Sequence, residues 1–183
     1  MGFRNYSPGK RDYGPLPWDL AARLLHVPCS TDRQLQYRPC AVTLRDGTVE
    51  PNVYVVDAQA YIDSWGIWPE DDKGKRAILS TDVSALDPSP NRLPHEIANK
   101  IYLGGESGMG YTVFKLQFKD GSTQAYLSGN AVDFIAYPPG KTAADVAAVE
   151  PHRGRGEQPR QAPSYAWLLH GAGEGRGVLQ RFE

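Results

Sequence analysis

From Tyr111 to Phe118 the chain alternates. Phe114, Leu116 and Phe118 are apolar, and Lys115 and Gln117 between them are polar, with Lys119 next. A period of two places the two kinds of side chain on opposite faces of a strand. Asp120-Gly121 follows at once, a pair suited to a two-residue type I′ turn. Such a turn predicts that Phe118 faces Thr123, Leu116 faces Ala125 and Phe114 faces Leu127. Lys119–Ser122, Gln117–Gln124 and Lys115–Tyr126 then share the polar face. A slip of one residue would exchange the faces.

The same pattern occurs earlier. Val42 to Val49 is an alternating strand running into Asp46-Gly47, and Val53 to Val56 continues the return strand. Asp57-Ala58-Gln59-Ala60-Tyr61-Ile62 then parallels Asn130-Ala131-Val132-Asp133-Phe134-Ile135. The first copy carries one extra residue near Pro51-Asn52, where a bulge is expected. The parallel suggests an internal duplication, with chance resemblance of two Asp-Gly hairpins as the competing reading.

Helical spacing appears in three places. Leu20, Leu24 and Val27 form a stripe in 17–27, and Ile97, Ala98 and Ile101 one in 94–102, with Gly104 as its C′ glycine. Asn130 is a good N-cap for a short helix over 131–137, stopped by Pro138-Pro139. Thr142 could cap another over 141–149. Residues 83–93 hold two prolines and an asparagine and read as a loop, 77–80 as a strand, and 164–170 as a last strand. Val178 to Phe182 is expected to pair back on it.

These elements imply a single β-rich α+β domain with two Asp-Gly hairpins and several short helices. Residues 1–16 read as an N-terminal arm and 17–150 as the core. The stretch 151–163, rich in Gly, Pro and Arg, reads as a linker, and 164–183 as a C-terminal strand or hairpin segment.

Composition narrows the function classes. The chain has 183 residues, 20 Lys plus Arg and 21 Asp plus Glu. A net charge of -1 gives no general pull toward nucleic acid or an anionic membrane. No apolar run approaches the ~20 residues of a membrane span, and the first residues lack a signal peptide's apolar core. The expectation is a cytoplasmic protein with Cys29 and Cys40 as free thiols.

Catalytic motifs are weak. The run Gly104-Gly105-Glu106-Ser107-Gly108-Met109-Gly110 follows a helix and enters a strand, so a phosphate would meet the negative end of the helix dipole, and Glu106 would repel it. The esterase elbow is not matched, because Met109 stands at its last glycine and the element order is reversed. Ser107 would need a histidine base, with His95 or His26 as the candidates. There is no CxxC spacing and no HExxH, so no metal and no cofactor is expected. Asp71-Asp72 beside Lys73 reads as a solvated turn.

The leading expectation is a non-catalytic protein-binding module, a regulatory adaptor or an immunity- or inhibitor-type protein. Its candidate binding residues are Glu106, Ser107, Met109, His95, Trp65 and Trp68. The glycine-rich loop is a natural place for binding residues, and the two tryptophans suit either a partner surface or a core lid. The alternative is a small-ligand enzyme or sensor using the Gly104–Gly110 loop with His95. Nucleic acid, through the Arg-rich stretch, ranks last. A flat apolar patch would favour the first reading, and a concave pocket with convergent polar groups around the loop the second.

Overall fold

The computed structural model describes residue 9 and residues 11–172. The expected pairing of Val178 to Phe182 lies outside them. Among the described residues, helices α1 (Trp18–Leu25), α2 (Ala58–Trp65) and α3 (His95–Gly104) accompany nine strands. The strands are β1 (Ser30–Asp32), β2 (Leu35–Leu44), β3 (Val49–Asp57), β4 (Val83–Pro88), β5 (Thr112–Phe118), β6 (Thr123–Ser128), β7 (Val146–Pro151), β8 (Arg160–Gln161) and β9 (Ala166–His170). The fold is α+β and β-rich, with two mixed sheets.

In the first sheet β2 is central. It pairs with β3 along one edge and with β1 and β4 along the other, and β9 adds to β3 in parallel. The second sheet runs β7-β5-β6-β8, with β8 parallel to β6. Each sheet is thus built on an Asp-Gly hairpin with a later antiparallel strand on one edge and a parallel strand on the other, and the first sheet carries β1 as a further antiparallel strand. The match extends to single bonds. Gly47 N donates to Leu44 O and Arg45 N to Asp82 O; Gly121 N donates to Phe118 O and Lys119 N to Asp145 O. A short 3₁₀ turn precedes β4 (Ser80–Asp82) and β7 (Ala143–Asp145) alike. Chance resemblance of two hairpins does not account for the matching third strands and turns.

The hairpins use a three-residue loop rather than the two-residue turn the sequence suggested. Phe118 N donates to Ser122 O (2.9 Å), and Lys119, Asp120 and Gly121 form the loop. Only Gly121 takes a positive φ (84°), and Asp120 Oδ1 accepts from Ser122 N (3.0 Å). A type I′ turn would have forced Asp120 into the left-handed region as well, which costs a non-glycine residue about 1–2 kcal/mol. The register therefore moves by one. Phe114 faces Tyr126, their rings stacked 5.7 Å apart, and Leu116 faces Gln124. Ala125 and Leu127 turn to the other face. Ala125 is nonetheless buried, because residues 152–157 cross over it and Gly154 lies against its methyl group. The bulge at Pro51-Asn52 is present: Cys40 pairs with Val53 and Val42 with Glu50.

Gly154 has φ +95°, and a Cβ there would lie 2.4 Å from the Ala125 Cβ. Gly121 has φ +84° and open space around it. Gly121→Ala is expected to cost about 1 kcal/mol from backbone strain alone. Gly154→Ala adds steric overlap and is expected to cost about 3 kcal/mol. Urea midpoints of the two variants check this ordering.

Other expectations are corrected. Residues 131–137 are extended rather than helical: Leu93 N donates to Asp133 O and Ile135 N to Asn91 O. The copy at Asp57 does form the helix, capped by the Asp57 side chain on Ala60 N (2.9 Å) and ended by left-handed Gly66. Residues 83–88 are strand β4 rather than loop, while 77–80 make only a single bridge, Ala77 to Trp167. Thr142 does cap a turn, but Val146 to Pro151 is strand β7 rather than helix. α3 runs two residues further than expected: Gly104 is its last residue and Gly105 takes the positive φ. Residues 151–163 lie along the second sheet, with β8 paired to β6.

Side chains divide into three layers. α1 covers one face of the first sheet over Val42, Val53, Val55, Leu86 and Leu168. α3 covers the second sheet over Phe114, Leu116, Phe118 and Tyr126. Between them lies an aromatic layer of Tyr37, Tyr54, Tyr61, Phe134 and Trp167. β3 explains the arrangement: Val53 and Val55 face one layer, Tyr54 and Val56 the other, so the strand is apolar on both faces.

Candidate functional site

Where the half built on the first sheet meets the half built on the second, they form a partly open cavity of about 410 Å³. The first half contributes the β1–β2 turn (Asp32, Arg33, Gln34), Leu35 and Tyr37, and the end of α2 (Asp63, Ser64, Trp65). The second contributes Ile101 and Tyr102 of α3, Gly105 and Glu106, Thr112, Asn130 and Val132. α3 is held against the first half by Asn99, whose side-chain oxygen accepts from Thr31 N (2.8 Å).

One wall is aromatic. Tyr37 and Tyr102 stack 5.5 Å apart, and Trp65 lines the same cavity. The polar lining is rich in acceptors. Asp32 is half-buried, and its carboxylate receives no hydrogen bond among the described residues. Burial pushes its pKa up, Arg33 opposes that shift, and Glu106 adds to it. Asn130 Oδ1 is fully buried with no hydrogen-bond partner among the described residues. Asp63 accepts from Gln59 (2.9 Å) and Glu106 from Gly110 N (3.0 Å).

Behind the wall lies Asp133, itself buried. Its carboxylate accepts from the hydroxyls of Ser30 and of Tyr102 (2.5 Å), and its N–H donates to the Tyr54 hydroxyl (2.9 Å). Burial outweighs these bonds and pushes its pKa up to about 6. Tyr102 is the link between this carboxyl and the cavity.

The candidates read from the sequence separate. Trp65 and Glu106 line the cavity. Trp68 does not: it is 5 % exposed, packs on Tyr13 and donates from its indole to Gly9 O (2.9 Å), so it is a core lid. His95 is not among the cavity-lining residues and sits 3.3 Å from Glu96. Met109 is 98 % exposed.

Ser107 meets neither His95 nor His26. Its Oγ is 2.8 Å from Nδ1 of His152, whose Nε2 lies 2.8 Å from Gly104 O. An Nε2–H donated to that carbonyl leaves Nδ1 to accept the serine proton. This is the order of a nucleophile, its base and an orienting group. The hydroxyl is also engaged by the backbone, accepting from Val113 N (2.9 Å) and lying 3.2 Å from Val113 O. Arg155 donates to Ser107 O (2.8 Å). Neither Ser107 nor His152 lines the cavity. The cluster ties the glycine-rich loop to the end of β7. Among the described residues, no group of three or more His, Cys, Asp or Glu side chains could hold a metal ion.

Asp32, Arg33, Tyr37, Tyr102 and Asn130 were not legible as site residues. They come from four separate segments, and only Asn130 stood out, as a helix cap it does not provide. No family model, no curated protein and no solved structure matches this chain.

Proposed function

We propose that the chain is a small-ligand-binding protein whose site is the cavity between its two halves. One observation carries the reading. The Asp32 carboxylate, half-buried and without a hydrogen bond among the described residues, borders a cavity lined from both halves of the molecule. Such a group suits a ligand that supplies hydrogen-bond donors. The volume and the aromatic wall match the usual make-up of small-molecule sites, while the lining is more polar than is usual for them. The glycine-rich loop serves through Gly105 and Glu106 at the rim, and His95 has no part. The free thiols Cys29 and Cys40 support a reducing, cytoplasmic setting. No helix among the described residues is long and apolar enough to cross a membrane.

A protein-binding surface is the second reading. It is favoured by Leu103 and Met109, 88 % and 98 % exposed beside the Gly105–Glu106 rim.

A fragment screen read by ¹H–¹⁵N correlation spectra tests the ligand-binding reading. Hits are expected to shift the amides of Asp32, Trp65, Glu106 and Asn130 together. Asn130→Leu removes the orphan acceptor. It should weaken those hits by changing the cavity wall while leaving stability unchanged or raised by about 1 kcal/mol. A screen without shifts at these residues would defeat the reading. A stoichiometric protein partner captured by the wild type and lost in Glu106→Ala, Met109→Ala would favour the second.

A further inference from the structure

The geometry points to an organic cation, bearing an ammonium or guanidinium group, as the ligand of the cavity between the two halves. This rests on the ligand-binding reading above. Three carboxylates, Asp32, Asp63 and Glu106, border the cavity against one guanidinium, Arg33. Three negative charges less one positive leave an excess of two, so an anionic ligand is repelled.

The hydrogen-bonding groups give the same sign. The Asp32 carboxylate only accepts. Ammonium and guanidinium groups only donate, and a charged donor makes the stronger bond to a carboxylate. A neutral ligand would leave the Asp32 charge half-buried and without an opposite charge from the ligand. The raised pKa of Asp32 has burial and the Glu106 charge among its causes, and a bound cation would relieve both.

The walls fit as well. Aromatic rings attract cations through their faces, and Tyr37, Trp65 and Tyr102 line the cavity, with one face of Trp65 taken by Lys75. Lys75 Nζ lies 3.8 Å from the centre of the Trp65 ring and is paired with Asp72 at 3.0 Å. Lys75 does not line the cavity, so its charge is balanced outside it.

Three probes of one shape and three charges test the inference: benzamidine, benzamide and benzoate. Each is titrated into the full chain and followed through the amides of Asp32, Glu106 and Asn130. Benzamidine should shift these amides. Benzamide should bind at least about tenfold more weakly, and benzoate not at all. Asp32→Asn should weaken benzamidine by about tenfold or more and leave benzamide unchanged. The comparison on the wild type stands by itself if Asp32→Asn fails to fold. Equal or tighter binding of benzamide or benzoate at the same amides overturns the cation assignment and leaves the ligand-binding reading standing. Fragment hits that are all neutral or anionic do the same. If neither probes nor fragments shift the cavity, both fall.

Discussion

Replacing Asp133 with asparagine should flatten the pH dependence of stability between about pH 4 and pH 6. In the folded protein the Asp133 carboxyl keeps its proton up to about pH 6, whereas an unfolded aspartate releases it near about 3.9. Between those values the folded state holds more protons, so raising the pH favours unfolding. The contribution of the protonated carboxyl is complete below about pH 4 and is lost as pH rises through 6. A shift of about two units corresponds to roughly 3 kcal/mol. Asparagine stays neutral throughout, and the hydroxyls of Ser30 and Tyr102 can turn to meet it. From pH 4 to pH 7 the difference between the two proteins should therefore move by about 3 kcal/mol in favour of the asparagine form. Asp46, Asp120 and Asp145 act with the opposite sign. Hydrogen bonds hold their pKa values down. They stabilise above the ordinary carboxylate range, lose that as pH falls, and do so equally in both proteins. Urea midpoints across this range decide the matter. Parallel profiles for the two proteins would mean that Asp133 ionises like an ordinary carboxylate.

Trp167→Ala should cost about 3–5 kcal/mol, a large part of the 5–15 kcal/mol that holds a typical domain together. The side chain is fully buried. Five rings surround it: Tyr54 and Tyr61 at 5.0 Å, Trp65 at 5.6 Å, Tyr165 at 5.7 Å and Tyr37 at 5.9 Å between centres. Removing it leaves a void that these rings, held by their own contacts, fill only in part. The indole N–H has no hydrogen-bond partner among the described residues. Phenylalanine would keep much of the volume and remove that unpaired donor. Trp167→Phe should therefore cost under about 2 kcal/mol. Thermal or urea unfolding of the two variants separates packing from polarity. Equal costs would show that the indole nitrogen matters more than the void.

What the sequence made legible was local. The alternation at Phe114, Leu116 and Phe118 fixed strand β5, because strand period acts within a few residues. The extra residue at Pro51-Asn52 was placed correctly because proline tolerates a bulge. The hairpin register was missed because Asp-Gly serves two turn types, and the choice turned on the conformation of one aspartate. The segment 131–137 was misread because its cap and spacing resemble those of α2. Its pairing with residues 91–93 and the burial of Asp133 among Ser30, Tyr54 and Tyr102 override that local preference. The cavity was hidden for a stronger reason. Asp32, Trp65, Tyr102 and Asn130 are ordinary in their own segments and meet only through the packing of two halves. His152 was unreadable as the partner of Ser107 in the same way.

The placement of β9 bears on how the chain reaches this fold. Its main-chain partner β3 belongs to the first half, and the neighbouring bond from Asn52 to Ser164 O joins residues 112 positions apart. Until residues 166–170 have been synthesised, the Val53–Val56 edge stays open, with apolar side chains on both faces. During translation the first half is therefore a template that any extended apolar segment could join, its own or another molecule's. The second half has no such dependence, since β8 lies close behind β7. Its sheet can form before the first one closes, which makes the final act of folding the return of the last strand to the first half. A loop that long is slow to close. This protein should accordingly fold late, and lean on dilution or chaperones while it waits.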